Sequence, residues 1–260
     1  QYLNRWGKGD KYYTTFENAY VNKPLSKAAV PDSLIVAPAV VDLGSRKVAI
    51  TEADLEDYPG MFLKRGKTEF SLEGAFAPVP RTTSISGPEP VEEDNLEAVV
   101  MGDRYEYIAV TKGTRSFPWR VIVIVENDIQ LADNDMVYRL ATPSRISDVS
   151  WIKPGKVSWD WWIENDLWGV DFRAGVNYKT YREYIRFASE NKLEYIIIDV
   201  GFSKSDDIMK VNPALRIEEL IRYADSMNVG IIAWAGWLAI IDQMEEACSK
   251  YSAMGIKGFK

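Results

Sequence analysis

The chain has 260 residues, 47% of them hydrophobic, with a formal net charge of −7 and a pI near 4.9. The length suits one large domain or two ordinary ones, and the acidic balance disfavours nucleic acid and anionic lipid as partners. Histidine is absent, which excludes Ser-His-Asp and Cys-His catalysis within the chain and every His-ligated metal site; no apolar run approaches the ~20 residues that span a bilayer.

Residues 1–150 read as β. Strand-like runs are DSLIVAPAVV, KVAITEADL, GMFLKR, LEAVVM, YEYIAVT and WRVIVIVEN, separated by turn-forming stretches such as DLGSR and APVPRTTSISGPEPVEEDN. No amphipathic helical period persists among them, so a sandwich is expected. In the run ITEADLEDYPGMFL, Glu52, Asp54, Glu56 and Asp57 lie within six residues, spaced either for an oxygen-ligated calcium or for a plain solvated turn. PSRISDVSWIKPGK reads as a linker.

From residue 151 the pattern changes. KVSWDWW reads as a strand, NYKTYREYIRFASENK as a helix with Asn177 as its N-cap, and EYIIID as a buried strand. RIEELIRYADSMNV is a helix with Ile217, Leu220, Ile221 and Ala224 on one face; GIIAWAGW is a strand; IIDQMEEACSKYSAMG is a helix closed by Gly255. IKGFK starts another strand, and Asp206 and Asp207 read as a turn and helix start. Cys248, the single cysteine, reads as a packed thiol. Apolar strands alternating with amphipathic helices mean a parallel sheet, either a (β/α)8 barrel or a doubly wound sheet. No G-x-G-x-x-G follows the first strand, which favours the barrel, cut after its fourth strand begins. The chain starts at Gln1 without a signal peptide and stops inside a strand-like run, so it is expected to be a fragment.

A barrel gathers its active site at the C-terminal ends of its strands. Those ends carry Trp159, Asp160, Trp161 and Trp162, then Asp199, then Trp234 and Trp237, with Lys260 at the last; five of the nine tryptophans fall between 151 and 168. Indoles with carboxylates suit a sugar, because pyranose C–H faces lie on aromatic planes and hydroxyls bind carboxylates, and glycosidic cleavage needs two carboxyl groups and no histidine. The substrate-binding candidates are Asp160, Trp161, Asp199, Trp234, Trp237 and Lys260. Trp159 reads as packing, Asp160 also as a turn cap, and Asp199 also as a structural acceptor. Trp161 and Trp162 cannot face the same side of a strand. Glu164 and Asp166 read as a solvated loop.

The ordered set YTTFENAY (13–20), ITEADLEDYPGMFL, PWRVIVI, PGKVSWDWW, EYIIIDVGFS, VGIIAWAGW and MGIKGFK resembles glycoside hydrolase family 97 over essentially the whole chain. The resemblance implies an N-terminal β super-sandwich, here residues 1–150, and a (β/α)8 barrel whose first half is residues 151–260. It implies a calcium-dependent exo-acting α-glycosidase, either an inverting α-glucosidase or a retaining α-galactosidase, periplasmic or secreted. Glu52 then matches a calcium ligand and Trp161 a sugar-contacting indole, while the nucleophile or base and the general acid are expected beyond Lys260. One departure stands out: the family pattern Asp-Glu-Gly-Trp reads Asp199-Val200-Gly201-Phe202 here. Two other readings are a non-catalytic saccharide-binding protein on a degenerate glycosidase scaffold and a barrel isomerase using an oxygen-ligated metal. Oligomeric state is not legible.

Overall fold

The computed structural model describes residue 12 and residues 22–25, 34–86, 98–163 and 165–260. The motif YTTFENAY and Glu164 lie outside these residues, as does the side chain of Trp162. The described residues divide into two compact units, one comprising those up to 86 together with 98–147, the other those from 148 to 260.

The first unit is antiparallel β. Its strands are β1 (Ile35–Val36), β2 (Ala39–Asp42), β3 (Lys47–Ala53), β4 (Met61–Arg65), β5 (Leu72–Phe76), β6 (Thr83–Ser86), β7 (Ala98–Met101) and β8 (Trp119–Val125). They pair as β1-β4-β5, β2-β3-β8 and β6-β7. The run DSLIVAPAVV divides at Pro38 into β1 and β2, which join different sheets. Proline has no N–H for a ladder, which makes it a natural break between strands. A small core forms from Ile35, Ala39 and Leu63, with Ile50, Met61 and Leu72 packed against it.

Three sequence expectations fail in this unit. YEYIAVT forms no strand, and Tyr105 and Tyr107 stack on each other with ring centroids 4.8 Å apart. The strand β5 is hidden by its own composition, because the pattern LEGAF carries a glycine and a glutamate. Two five-residue helices, α1 (Asp128–Ala132) and α2 (Met136–Leu140), follow β8. They bury no residue, so they leave no hydrophobic period to read.

The second unit holds β9 (Val157–Trp159), α3 (Tyr178–Glu190), β10 (Tyr195–Ile198), the hairpin β11 (Ser203–Lys204) and β12 (Asp207–Val211), α4 (Ile217–Ser226), β13 (Gly230–Ala233), α5 (Trp237–Met254) and β14 (Gly258–Phe259). Strands β9, β10, β13 and β14 form one parallel sheet in that sequential order, with α3, α4 and α5 as crossovers. A doubly wound sheet reverses its strand order near the middle; here the order runs on without reversal, as at the start of a (β/α)8 barrel.

Alternation along the strands divides the sheet into two faces. Ile196, Ile198, Ile231 and Ala233 are buried against Tyr181, Ile185 and Ala188 of α3, Leu220 and Ala224 of α4, and Ala247 and Tyr251 of α5. Each fully buried large side chain of this set contributes about 1.5–3 kcal/mol of transfer free energy. The α4 stripe of Ile217, Leu220, Ile221 and Ala224 is the one the sequence marks. Asn177 caps α3 by accepting from the Thr180 backbone N–H at 3.1 Å, and Gly255 closes α5 at φ 104°.

Three details depart from expectation. Asp206 turns the β11–β12 hairpin and Asp207 starts β12, so no helix begins there. Helix α5 starts at Trp237 rather than after it, and bends at Gln243, whose side chain accepts from Ile208 N at 3.0 Å and donates to Asp207 at 3.0 Å. Cys248 is exposed, because its neighbours Ala247 and Tyr251 take the inward face of α5.

Candidate functional site

The register of the parallel sheet sets the site. Ile198 pairs with Ala233, and Ala233 with Phe259, so the next residues, Asp199, Trp234 and Lys260, stand on one level at the C-terminal strand ends. Backbone bonds extend that level: Trp234 N to Ile198 O at 2.8 Å and Lys260 N to Ala233 O at 2.9 Å. Trp159 pairs with Ile197, so it lies on the face that Asp199 shares, turned away from the helices.

Asp199 is the centre of this cluster. It is 2% exposed, and its carboxylate is fully engaged. Oδ1 accepts from Val200 N at 2.8 Å; Oδ2 accepts from the Trp159 indole N–H and from Lys260 Nζ, the latter at 2.6 Å. The Lys260 ammonium also sits 4.5 Å from the Trp159 ring centre, a cation–π contact. Trp161 stacks on Trp159 with ring centroids 5.5 Å apart and planes 22° apart, and is 45% exposed. The result is an exposed indole over a half-buried indole, beside an ammonium–carboxylate pair whose cation remains half in solvent. Apolar ring faces can lie on Trp161, and hydroxyls can bind the Lys260 donors.

Asp160 has a different place. The expected strand KVSWDWW ends at Trp159, and residues Asp160–Ile163 wind into a 3₁₀ turn. Asp160 is 1% exposed and faces the helix layer. Its Oδ1 accepts from Trp161 N at 2.7 Å; Oδ2 accepts from the Tyr181 hydroxyl of α3 and from Asp199 N at 3.3 Å. Burial pushes its carboxyl up to about 6, against the opposing pull of the Tyr181 and Asp199 hydrogen bonds. Burial, followed by the adjoining Asp160 charge, raises the Tyr181 hydroxyl well above the ordinary tyrosine value. As an acceptor enclosed by protein donors, Asp160 offers no oxygen to a ligand from the rim, where its position at a strand end would set it.

Of the sequence candidates, then, the fold brings together Trp161, Asp199 and Lys260. Trp234 stands one strand over, half-buried, and Trp237 leaves the strand end to open α5, where it is exposed. Sequence reasoning misses two members, Trp159 as a donor to Asp199 and Tyr181 as the partner of Asp160. Trp159 is legible only through alternation, since it shares a face with Asp199 once the strands are in register. Tyr181 carries no sequence signal that separates it from the other residues of the α3 stripe.

In the first unit Glu52 lies on β3 opposite Arg120 of β8. One carboxylate oxygen is held by the Arg120 guanidinium and the other by Met61 N at 2.8 Å, with the side chain 11% exposed. The other acids of the run are dispersed among local partners: Asp54 accepts from Thr142, Glu56 pairs with Arg145 at 2.7 Å, and Asp57 lies 3.6 Å from Arg115. Among the described residues no group of three or more acidic, cysteine or histidine side chains is placed to hold a metal ion. These residues do not by themselves fit calcium; Glu52 offers one carboxylate, already neutralised by Arg120.

A sequential parallel sheet with an indole–carboxylate–ammonium cluster at its strand ends defines the opening part of a barrel-type catalytic domain, preceded by a β domain. Residues 2–143 match the family described as glycosyl-hydrolase 97 N-terminal, and residues 159–260 match glycoside hydrolase 97. The chain belongs to glycoside hydrolase family 97. It is 44% identical over 253 residues to a retaining alpha-galactosidase of Bacteroides thetaiotaomicron, covering 96% of this chain and 37% of that protein. It is 28% identical over 156 residues to a probable retaining alpha-galactosidase of Streptomyces bingchenggensis, covering 57% of this chain and 23% of that one. The chain thus spans well under half the length of these curated relatives. A family 97 enzyme of Pseudoalteromonas sp. strain K8, solved with acarbose, shares the fold with a TM-score of 0.65 at 22% identity, over 92% of this chain and 35% of its own. A single-residue variant of that enzyme gives a TM-score of 0.67 at 22% identity, over 98% and 36%.

Proposed function

We propose that the protein to which this chain belongs is an exo-acting retaining α-galactosidase, and that the present residues form the floor of its sugar site. The observation that carries this reading is the Asp199–Lys260–Trp159 cluster with Trp161 stacked above it. Trp161 carries the sugar's apolar face, and Lys260, fixed by Asp199, donates to a hydroxyl. Trp234, one strand over, and Trp237, at the start of α5, are the remaining aromatic candidates for the sugar. The 44% identity to an enzyme described as a retaining alpha-galactosidase supports galactose over glucose and retention over inversion. The two carboxyl groups that break the bond are assigned to sequence beyond Lys260, because both acids described at the site have their oxygens taken by protein donors.

Calcium enters on the family resemblance alone, with Glu52 as one ligand and the others outside this chain; no step is routed through it. A periplasmic or secreted location rests on the same resemblance. Among the described residues no helix is long and apolar enough to cross a membrane. The test is hydrolysis of p-nitrophenyl α-galactoside and α-glucoside by the full-length protein, with and without chelator. Faster turnover of the galactoside, lost on chelation, is the expected result; no turnover of either with calcium present overturns it.

A second reading, a saccharide-binding protein without turnover, is favoured by Val200, which supplies no second acid beside Asp199. It predicts galactose binding by calorimetry without hydrolysis.

A further inference from the structure

We propose that Asp160 and Tyr181 are positioning residues of the saccharide site, joining the turn that carries Trp161 and the strand end that carries Asp199 into one hydrogen-bonded unit. The inference rests on the reading of that rim as a sugar site. Neither residue touches ligand; they act through the backbone.

The geometry is a three-way junction. One carboxylate receives a backbone N–H from its own turn, at Trp161, and a backbone N–H from the end of the next strand, at Asp199. The first carries the indole of the proposed sugar site, and the second fixes the Lys260 donor of that site. The third donor, the Tyr181 hydroxyl, comes from the first turn of α3 and locks the carboxylate from behind. The Asp160 carbonyl accepts from Asn165 N at 3.1 Å, and the Tyr181 hydroxyl lies 3.4 Å from Asn165 Oδ1, which closes the turn. All of this sits at the level where β9 and β10 stop pairing. Beyond it, ladder bonds no longer fix the backbone, so side-chain bonds must. An apolar residue in place of Asp160 would leave the Trp161 and Asp199 N–H groups short of an acceptor.

The junction is also placed to sense pH. Around Asp160 stand Tyr181 and Tyr184 from α3, Asp199 from the end of β10, and Lys260, just past β14, on the far side of Asp199. Asp199 and Asp160 repel when both are ionised, so the charge on Asp160 bears on the Asp199–Lys260 pair. A buried carboxyl that accepts three donors holds the rim most firmly when ionised.

The test uses the full-length protein and the variants Tyr181→Phe, which keeps ring volume, and Asp160→Asn. Wild type is first assayed for α-galactoside hydrolysis and galactose binding; if neither occurs, the sugar reading fails. The inference is read separately, from the indole ¹⁵N–H resonance of Trp159, assigned through Trp159→Phe and followed against pH. In wild type that resonance is expected to shift with a midpoint near the Asp160 value of about 6. Tyr181→Phe removes a bond that favours the ionised form, so the midpoint moves to higher pH; Asp160→Asn abolishes it. Where turnover exists, kcat/KM falls on the order of tenfold to a hundredfold in both variants, with the acid limb of its pH profile moved or lost in step. If Asp160→Asn does not fold, Tyr181→Phe alone decides. A Trp159 resonance blind to pH between 4 and 8, or variants that only lower Tm and leave the pH dependence unchanged, overturn the proposal.

Discussion

The Lys260 ammonium lies 2.6 Å from Asp199 Oδ2 and 4.5 Å from the centre of the Trp159 ring, so one cation joins the ends of three strands of the sheet. Asp199 is buried and Lys260 is half exposed, which makes the pair unequal. Lys260→Met leaves a buried carboxylate without its cation and is expected to destabilise the fold by about 1–3 kcal/mol. It also removes the donor that faces solvent, so galactose affinity measured by calorimetry should fall at least as sharply as after Trp161→Ala. Unchanged affinity would remove Lys260 from the site.

Trp161 and Trp159 stack, yet they should separate in mutagenesis. Trp161→Ala takes away a half-exposed ring, with a stacking loss of about 0.5–1.5 kcal/mol, and Tm should move little while sugar binding weakens. Trp159→Phe keeps most of the ring but removes the N–H held by Asp199. It should cost stability as well as binding. Thermal melts read beside calorimetric titrations distinguish the two.

Stability should carry the signature of Asp160. Its folded-state value, about 6, lies above its ordinary 3.8, so the folded chain holds a proton that the unfolded chain has lost. The stabilising contribution is full below pH 4 and disappears as pH rises through 6, amounting to about 3 kcal/mol. Asp160→Asn cannot titrate. The stability of wild type minus that of the variant should therefore decline between pH 4 and 7, measured by denaturant unfolding at several pH values. A flat difference would mean that Asp160 ionises as it would in water.

Glu52 and Arg120 form the partly buried ion pair of the β3–β8 ladder. Arg120→Met strands the carboxylate and should cost about 1–3 kcal/mol, more than Glu52→Gln, which keeps an acceptor for Met61 N. In the full-length protein, calorimetric titration with calcium should show weaker binding in Glu52→Gln. Equal affinity would make the residue a strand tie and nothing more.

Gly236→Ala tests the seat of α5. A β-carbon there would come 2.3 Å from the Ser205 carbonyl oxygen, a backbone atom that cannot rotate aside. The hairpin turn and the start of α5 must part, so Tm should fall and the environment of Trp237, read by fluorescence, should change. A wild-type melt would show that the hairpin yields freely.

Much of the second unit is legible in the sequence because its helices are amphipathic. Tyr181, Tyr184, Ile185 and Ala188 repeat at helical spacing on α3, as do Ile217, Leu220, Ile221 and Ala224 on α4, and all are buried. The first unit is less legible. Its short strands lie partly exposed, so alternation is weak: YEYIAVT has the pattern of a strand and forms none, whereas LEGAF lacks the pattern and forms one.

The sequence by itself determined the chemistry at hand and its address. It placed a histidine-free set of acids and indoles at the ends of apolar strands, and its ordered motifs named the family. Only the tertiary structure decided which of these side chains work together. Register put Asp199 level with Lys260, and the alternation of the strands turned Trp159 toward them. The 3₁₀ turn that ends β9 set Asp160 against α3, to meet Tyr181 in a stripe that sequence alone reads as core. Periodicity is a local property of the chain, but a side-chain cluster across parallel strands depends on contacts between residues 40 or more positions apart, as Trp159 is from Asp199 and Lys260.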